Sequence, residues 1–320
     1  MAEKDYLAMW FNVRRKYGIQ DTIYWGWYDP KAQEIDWKTW RHADADGMAG
    51  FANILRKDGF PCDPLPVCNE TSVPGWREIN KAQRENPTEE SAKTVNWRKT
   101  YSDNSEFMPE VTVINKELTT RLYQQAKTRK VSPGNIIFSA LSRVISRELI
   151  DGDSPFYWFY PVNVRGATGI KTESFNQASG LYLLVDSHST AEDWQAQMRT
   201  RMKAKQHWKN WKLANLGKLI GEQGVSIVYK FTSGKQFYAG SCSNLGTWPL
   251  IDARNPPIEH DRQLVAVAPG TANYPVSSCM VDWNGSIALT LKLNPYICRD
   301  QTQLKKLLKQ WYEEIITDIT

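Results

Sequence analysis

The chemistry this chain is equipped for centres on the run Trp40-Arg41-His42-Ala43-Asp44-Ala45-Asp46-Gly47. Here an imidazole stands four residues ahead of an Asp-Gly pair that opens an apolar, helix-like stretch. A histidine on a strand-to-helix junction is held rigidly over a cleft, and an imidazole titrates close enough to neutrality to act as a general base. The chain has four histidines, His42, His188, His207 and His260, and His42 has the strongest claim to that role. His260, before Asp261, reads as a loop residue. Cys242 stands between Ser241 and Ser243, but no second histidine is placed to activate it as a nucleophile. No Cys or His pairs stand at zinc spacing, so no metal site is expected.

A second group of residues is basic. Residues 199–218 contain seven lysines and arginines and no acid, with His207, Trp208 and Trp211 among them, so the rest of a chain of net charge +5 is slightly acidic. Two readings stay open. Lys203, Lys205, Trp208, Lys209, Trp211 and Lys212 form a phosphate-binding surface, on nucleic acid or on a phosphorylated co-substrate. Alternatively the lysines are a solvated helix face and the tryptophans turn into the core, the commoner fate of a charge run.

These residues must be positioned by a chain of 320 residues, long enough for one large domain or two fused subdomains. Hydrophobic residues make up 41% and fourteen are tryptophan, which excludes global disorder. No apolar run is long enough to span a bilayer, and no signal segment follows Met1, so a cytoplasmic protein is expected. The odd count of five cysteines at irregular spacings reads as free thiols.

The order of elements is mixed α/β. Residues 22–28 and 34–42 are β-rich and can pair across Asp29-Pro30. The spacing of Met48, Phe51, Ile54 and Leu55 predicts a helix over 46–57 that ends at Asp58-Gly59. Residues 60–108 form a proline-rich connector with one short helix near 77–85. A strand at 110–114, a helix at 116–129 and a helix opening at Ser132-Pro133 follow. Strands are expected at 156–164 and 180–186, and a long basic helix over 190–216 capped by Ser189 or Thr190. Strands near 225–231, 236–243, 263–268 and 277–293 precede a closing helix over 301–319. The natural division is 1–108, carrying the histidine motif and connector, and 109–320.

Four of these features stand in an order that resembles a known superfamily. His42-x-x-x-Asp46-Gly47, the segment Pro161-Val162-Asn163-Val164-Arg165, the turn Ser243-Asn244-Leu245-Gly246 and the helical pair 116–150 are similar to those of the chloramphenicol acetyltransferase and condensation-domain acyltransferases. The resemblance runs from about residue 36 to the C-terminus. The family often carries another histidine where this chain has Arg41.

The resemblance implies a two-subdomain fold around a tunnel and acyl transfer from a thioester, with acyl-CoA as co-substrate and no permanently bound cofactor. His42 would take the proton of a hydroxyl or amine acceptor, and Ser243 or Ser241 would face the oxyanion. Asp46 would be structural and paired with Arg165, with Gly47, Asn163, Asn244 and Gly246 shaping the site. The acceptor would be small or nucleotide-like. Two alternatives accompany this reading: a condensation-type enzyme using carrier-tethered acyl groups, and a catalytically idle scaffold that binds protein, or nucleic acid through 199–218. Because only 41 residues precede His42, the resemblance further implies an incomplete N-terminal subdomain. A homo-oligomer or partner chain would complete it, covering Trp25, Trp27, Tyr28, Trp37 and Trp40.

Overall fold

The computed structural model describes residues 5–62, 64–88, 94–102, 106–232, 238–250 and 261–320, and His260 lies outside them. In chain order the elements are α1 (Tyr6–Lys16), β1 (Thr22–Tyr28), β2 (Lys38–Arg41), α2 (Gly47–Lys57), α3 (Trp76–Glu85), β3 (Glu110–Ile114), α4 (Lys116–Arg129) and α5 (Pro133–Leu149). Then come β4 (Phe156–Asn163), β5 (Ala178–Val185), α6 (Ala191–Lys203), α7 (Gln206–Asn215), α8 (Gly217–Thr232), β6 (Tyr238–Trp248), β7 (Gln263–Val267), β8 (Val276–Trp283), β9 (Ser286–Leu293) and α9 (Gln301–Ile319). None of the described helices is long and apolar enough to cross a membrane.

Two sheets organise the molecule. The larger runs β3-β9-β8-β6-β4-β5, and its centre is parallel, β4 with β6 and β6 with β8. The smaller runs β2-β1-β7 and is antiparallel throughout, so a strand from late in the chain completes the sheet that carries the histidine loop. β8 is buried along its whole length because it faces two cores. Val276 and Met280 join the core built with α4, α5 and α9, whereas Cys279, Val281 and Trp283 join the core built with β1 and α2. A strand covered on both faces buries its polar residues as well as its apolar ones, and Ser277, Ser278 and Asp282 of β8 are all buried.

The helix ends follow their side chains. Asp46 caps α2 by accepting from the Ala49 amide, Ser132 caps α5 with Pro133 in its first turn, and Thr190 caps α6 with Asp193 closing the reciprocal pair. On the opposite side of the large sheet's core, Trp311 of α9 donates to the Ile137 carbonyl of α5 at 2.8 Å, and Arg143 bridges Glu314 and Asp318.

Two expectations are corrected. The segment expected as a strand near 225–231 belongs to helix α8. Its β-branched residues mimic a strand, but Val225 and Tyr229, one helical turn apart, bury against Val13, Met9 and Trp10 of α1. The expected continuous helix over 190–216 is two helices. Lys205 takes a left-handed backbone (φ 53°), and the chain restarts so that Gln206, His207, Trp208 and Trp211 are buried.

The aromatics expected at a subunit boundary make contacts within this chain, and all but Tyr28 remain partly exposed. Tyr28 is buried, Trp27 meets Phe60 and Trp283 edge-on, and Trp37 packs against Tyr24. Trp25 packs against the small-sheet core and Trp40 covers Gly50. Helix α1 was not expected at all, because its apolar residues Leu7, Met9, Trp10, Phe11 and Val13 surround the helix rather than lining one stripe.

Candidate active site

The site begins with the end of β2. The His42 amide donates to the Asp21 carbonyl at 2.7 Å, which extends the ladder one residue and fixes where the imidazole leaves the backbone. The ring then has two neighbours from distant sequence. Phe11 of α1 stacks on it, with centroids 4.2 Å apart and planes 21° apart. Asn176 Oδ1 lies 2.9 Å from Nδ1.

The Asn176 amide is itself oriented. Its Nδ2 and its main-chain N–H both donate to Asp5 Oδ2 at 2.8 Å, so Oδ1 is the end left to face histidine. An oxygen acceptor there requires Nδ1 to carry the proton, which leaves the lone pair on Nε2. Burial holds the His42 pKa below its ordinary 6.5; its own main-chain oxygen, the Asp46 charge and Asn176 oppose that shift, and Arg14 reinforces it. The shift favours the neutral imidazole, the form that can accept a proton.

Asp46 holds the loop in shape. Its two oxygens each lie 2.7 Å from Arg165 Nη2 and also accept from the Ala49 and Gln177 amides at 3.1 and 2.9 Å. Both side chains of the pair are about 95% buried. A charge pair this deep is tolerated because its carboxylate is fully hydrogen-bonded. Arg165 in turn is held by Asn163, whose Oδ1 accepts from the Arg165 amide at 3.1 Å and whose Nδ2 donates to the Pro66 carbonyl at 2.8 Å. Asp44 is exposed.

The Ser243-Asn244-Leu245-Gly246 turn docks onto the same loop. Gly246 has φ 80° and its amide donates to Asn244 Oδ1 at 2.9 Å, a turn that only glycine enters without strain. This places Leu245 against Gly47, where an added Cβ would stand 2.7 Å from Leu245 Cδ2. β6 alternates sides here, so Cys242 is buried in the large core with its thiol pKa raised, while Ser241 and Ser243 face the cavities. Ser241 Oγ is 3.3 Å from Ser277 Oγ. The Ser243 hydroxyl has no hydrogen-bond partner among the described residues and is the one free to serve a ligand.

Two cavities meet at this constellation. One, of about 110 Å³, is mostly apolar, with Met48, Val162, Ala266 and Val267 in its wall. The other, of about 190 Å³, runs beneath α1 past Arg14, Asp21 and Thr271. His42, Pro161, Ser243 and Ala268 line both.

The basic segment stands elsewhere. Trp208 and Trp211 are buried with Ile79, Val164 and Ala167 and are not available to a ligand. Lys205 pairs with Glu78 at 3.1 Å and Lys212 lies over the Trp76 ring. Lys203 is exposed and Lys209 partly so, and none of these residues lines either cavity. His207 is buried, with Nε2 at 3.2 Å from Glu70. Arg41, in the position before His42, bonds Asn12 at 2.7 Å and Asp21 at 3.0 Å, tying the loop to α1. Sequence spacing carried no signal for Asp5, Phe11 or Asn176: Asn176 is 134 residues from the ring it orients.

Comparison with known proteins returned no matching family model and no matching curated protein. Solved structures do match. The EpoB cyclization-docking bidomain of a nonribosomal peptide synthetase from Sorangium cellulosum aligns with TM-score 0.52 at 10% identity, covering 89% of this chain and 61% of that one. Polyketide synthase associated protein 5 of Mycobacterium tuberculosis aligns at 0.48 and 16% identity over 88% of this chain and 73% of that one. The trichothecene 15-O-acetyltransferase of Fusarium sporotrichioides aligns at 0.41 and 13% identity over 76% and 52%. The chain thus spans under two thirds of the bidomain and about half of the acetyltransferase. Its fold is therefore the mixed α/β fold shared with that cyclization-docking bidomain.

Proposed function

We propose that this protein is an acyltransferase that moves a small acyl group from a CoA thioester to a hydroxyl or amine acceptor. One observation carries the reading: a neutral imidazole, held in the tautomer that frees Nε2, forms the shared wall of two cavities together with an unengaged serine hydroxyl. The smaller, apolar cavity suits a short acyl chain, and the larger one suits the acceptor.

In the proposed step the acceptor O–H or N–H gives its proton to His42 Nε2 as the heteroatom bonds to the thioester carbonyl carbon. The carbonyl electron pair moves to oxygen, where the Ser243 hydroxyl donates to it. Collapse of the tetrahedral species reforms the carbonyl and breaks the C–S bond, and the imidazolium returns the proton to the departing thiolate. A positioned base contributes roughly 10²–10⁴-fold, and holding both reactants in adjoining cavities contributes entropy that solution chemistry lacks. No acyl-enzyme is needed.

The test supplies isotope-labelled acetyl-CoA with a pool of small alcohols, amines and hydroxy acids, and reads products by mass spectrometry. A labelled product that is absent with His42→Ala supports the reading. Equal product from both proteins overturns it. The likeness to a peptide-synthetase bidomain motivates a second arm, in which the same acyl group is offered on a phosphopantetheinyl carrier protein. Transfer from the carrier alone would replace CoA as the donor and keep the chemistry at His42.

A further inference from the structure

Among the described residues, one cation in the wall of the larger cavity has no partner to balance it. The end of α1 and the β2 loop carry three arginines, Arg14, Arg15 and Arg41, and one buried carboxylate, which two of them engage. Asp21 takes Arg41 at 3.0 Å and Arg15 at 3.6 Å, while Lys16 reaches outward to Glu222. Arg14 is left over: among the described residues its guanidinium has no hydrogen bond and no ion pair, although it is half-buried in the cavity wall. It stands three residues from Phe11, on the same face of α1 as the ring that stacks on His42.

The cavity has a second unmatched group. Thr271 is 8% exposed, and its buried hydroxyl oxygen has no partner among the described residues. Buried polar atoms are nearly always satisfied, so one left open in a cavity wall marks where a ligand atom belongs. Tyr274 completes the wall. Its ring stacks on Tyr238 at 4.8 Å and lies 5.5 Å from Phe159, which also lines the space.

We propose that this cavity is an anion site, in which Arg14 pairs with the carboxylate of a small alcohol or amine acid, Thr271 supplies a second hydrogen bond and the Phe159–Tyr274 wall receives its apolar body. Arginine presents a fork of donors that matches a carboxylate, and such charge-assisted bonds are about twice as strong as neutral ones. An acceptor whose carboxyl group is tied up as a thioester or an amide offers Arg14 no charge, so the site selects free acids. Asp21, the carboxylate on the cavity wall, is neutralised by Arg15 and Arg41 and does not repel the ligand. That the bound acid is the acceptor rests on the acyltransfer reading; that the site binds an anion does not.

The experiment measures binding of 3-phenylpropanoate and its neutral twin 3-phenylpropanamide to the full chain by ligand-observed NMR, without any acyl donor. The carboxylate is expected to bind at least about tenfold tighter than the amide. Arg14→Gln should weaken the carboxylate about ten- to hundredfold and leave the amide unchanged, and Arg14→Lys should retain part of the preference. Equal binding of the two probes to the unmodified protein, which requires no variant to fold, overturns the proposal. So does carboxylate binding that folded Arg14→Gln leaves unchanged. Labelled acetyl-CoA is then offered with 3-phenyllactate and with its amide. Carboxylate binding without transfer leaves the anion site standing and removes the acyltransfer reading. Transfer to both acceptors at equal efficiency does the reverse.

Discussion

Two histidines in this protein sit in buried surroundings that lower their pKa, yet of the two only His42 lines the paired cavities. His42 and His207 each have an oxygen partner on one ring nitrogen, Asn176 for the first and Glu70 for the second. The difference lies in the other nitrogen. His42 Nε2 belongs to a ring that lines two cavities, whereas His207 Nδ1 is buried without a partner on a helix whose tryptophans complete a core. Burial and a shifted pKa are thus insufficient marks of a base. What distinguishes the His42 ring is an oriented acceptor behind it and open space in front.

The largest separation between the two regions should come from alanine substitutions. His42→Ala is expected to reduce transfer about 10²–10⁴-fold with the fold intact by circular dichroism, because it removes the base and little packing. His207→Ala is expected to lower the melting temperature and spare the rate per folded molecule.

Next in size is the pair beneath the histidine loop. Asp46→Ala leaves the Arg165 charge buried and uncompensated, at a cost of about 3–5 kcal/mol. Urea unfolding should show that loss as a lowered midpoint, and activity should fall with it. No comparable loss should follow Lys205→Ala, whose partner Glu78 is largely exposed.

Asn176→Ala removes only the orienting acceptor. It should cut kcat roughly ten- to hundredfold with little change in KM and alter the acid limb of the pH profile. Asp5→Asn should act in the same direction more weakly, since it disturbs the Asn176 amide through its Nδ2 contact. A KM effect without a kcat effect would contradict an orienting role.

The pH dependence follows from the direction of the two shifts. Each imidazole has a folded pKa below the ordinary 6.5, so the folded protein binds fewer protons than the unfolded chain between the two values. The stabilising contribution is therefore complete above about 6.5 and is lost as pH falls through the lowered folded values. The acid limb of kcat/KM, set by His42, should also lie below 6.5. His207→Gln should flatten the stability curve on the acid side and leave that limb in place. The smallest effect is expected from Lys203→Ala and Lys209→Ala, which should leave transfer within about twofold.

Much of the fold was legible because local signals agreed. The helix start at Ser132-Pro133, a cap at one of Ser189 and Thr190, the stop at Asp58-Gly59 and most of the apolar strands fell where side-chain chemistry placed them. The parts that were not legible are those decided by distant contacts. α8 is a helix because Val225 and Tyr229 meet α1, although its composition favours a strand. The basic run conceals its break at Lys205, since nothing in seven cations announces that Trp208 and Trp211 turn inward.

The site divides in the same way. His42, Asp46, Arg165 and the Ser243–Gly246 turn were visible as short patterns. Asp5, Phe11, Arg14 and Asn176 were not, because α1 and the 166–177 segment reach the imidazole only through the tertiary fold.

The measurement that bears most directly on the two histidines is the rate of labelled acetyl transfer for His42→Ala and His207→Ala, taken beside their thermal unfolding curves. The structure predicts a folded His42→Ala protein whose transfer is reduced at least a hundredfold, and a His207→Ala protein that melts earlier but transfers normally while folded. A folded His42→Ala protein that keeps its rate, or a folded His207→Ala protein that loses it, would contradict the assignment of His42 as the base.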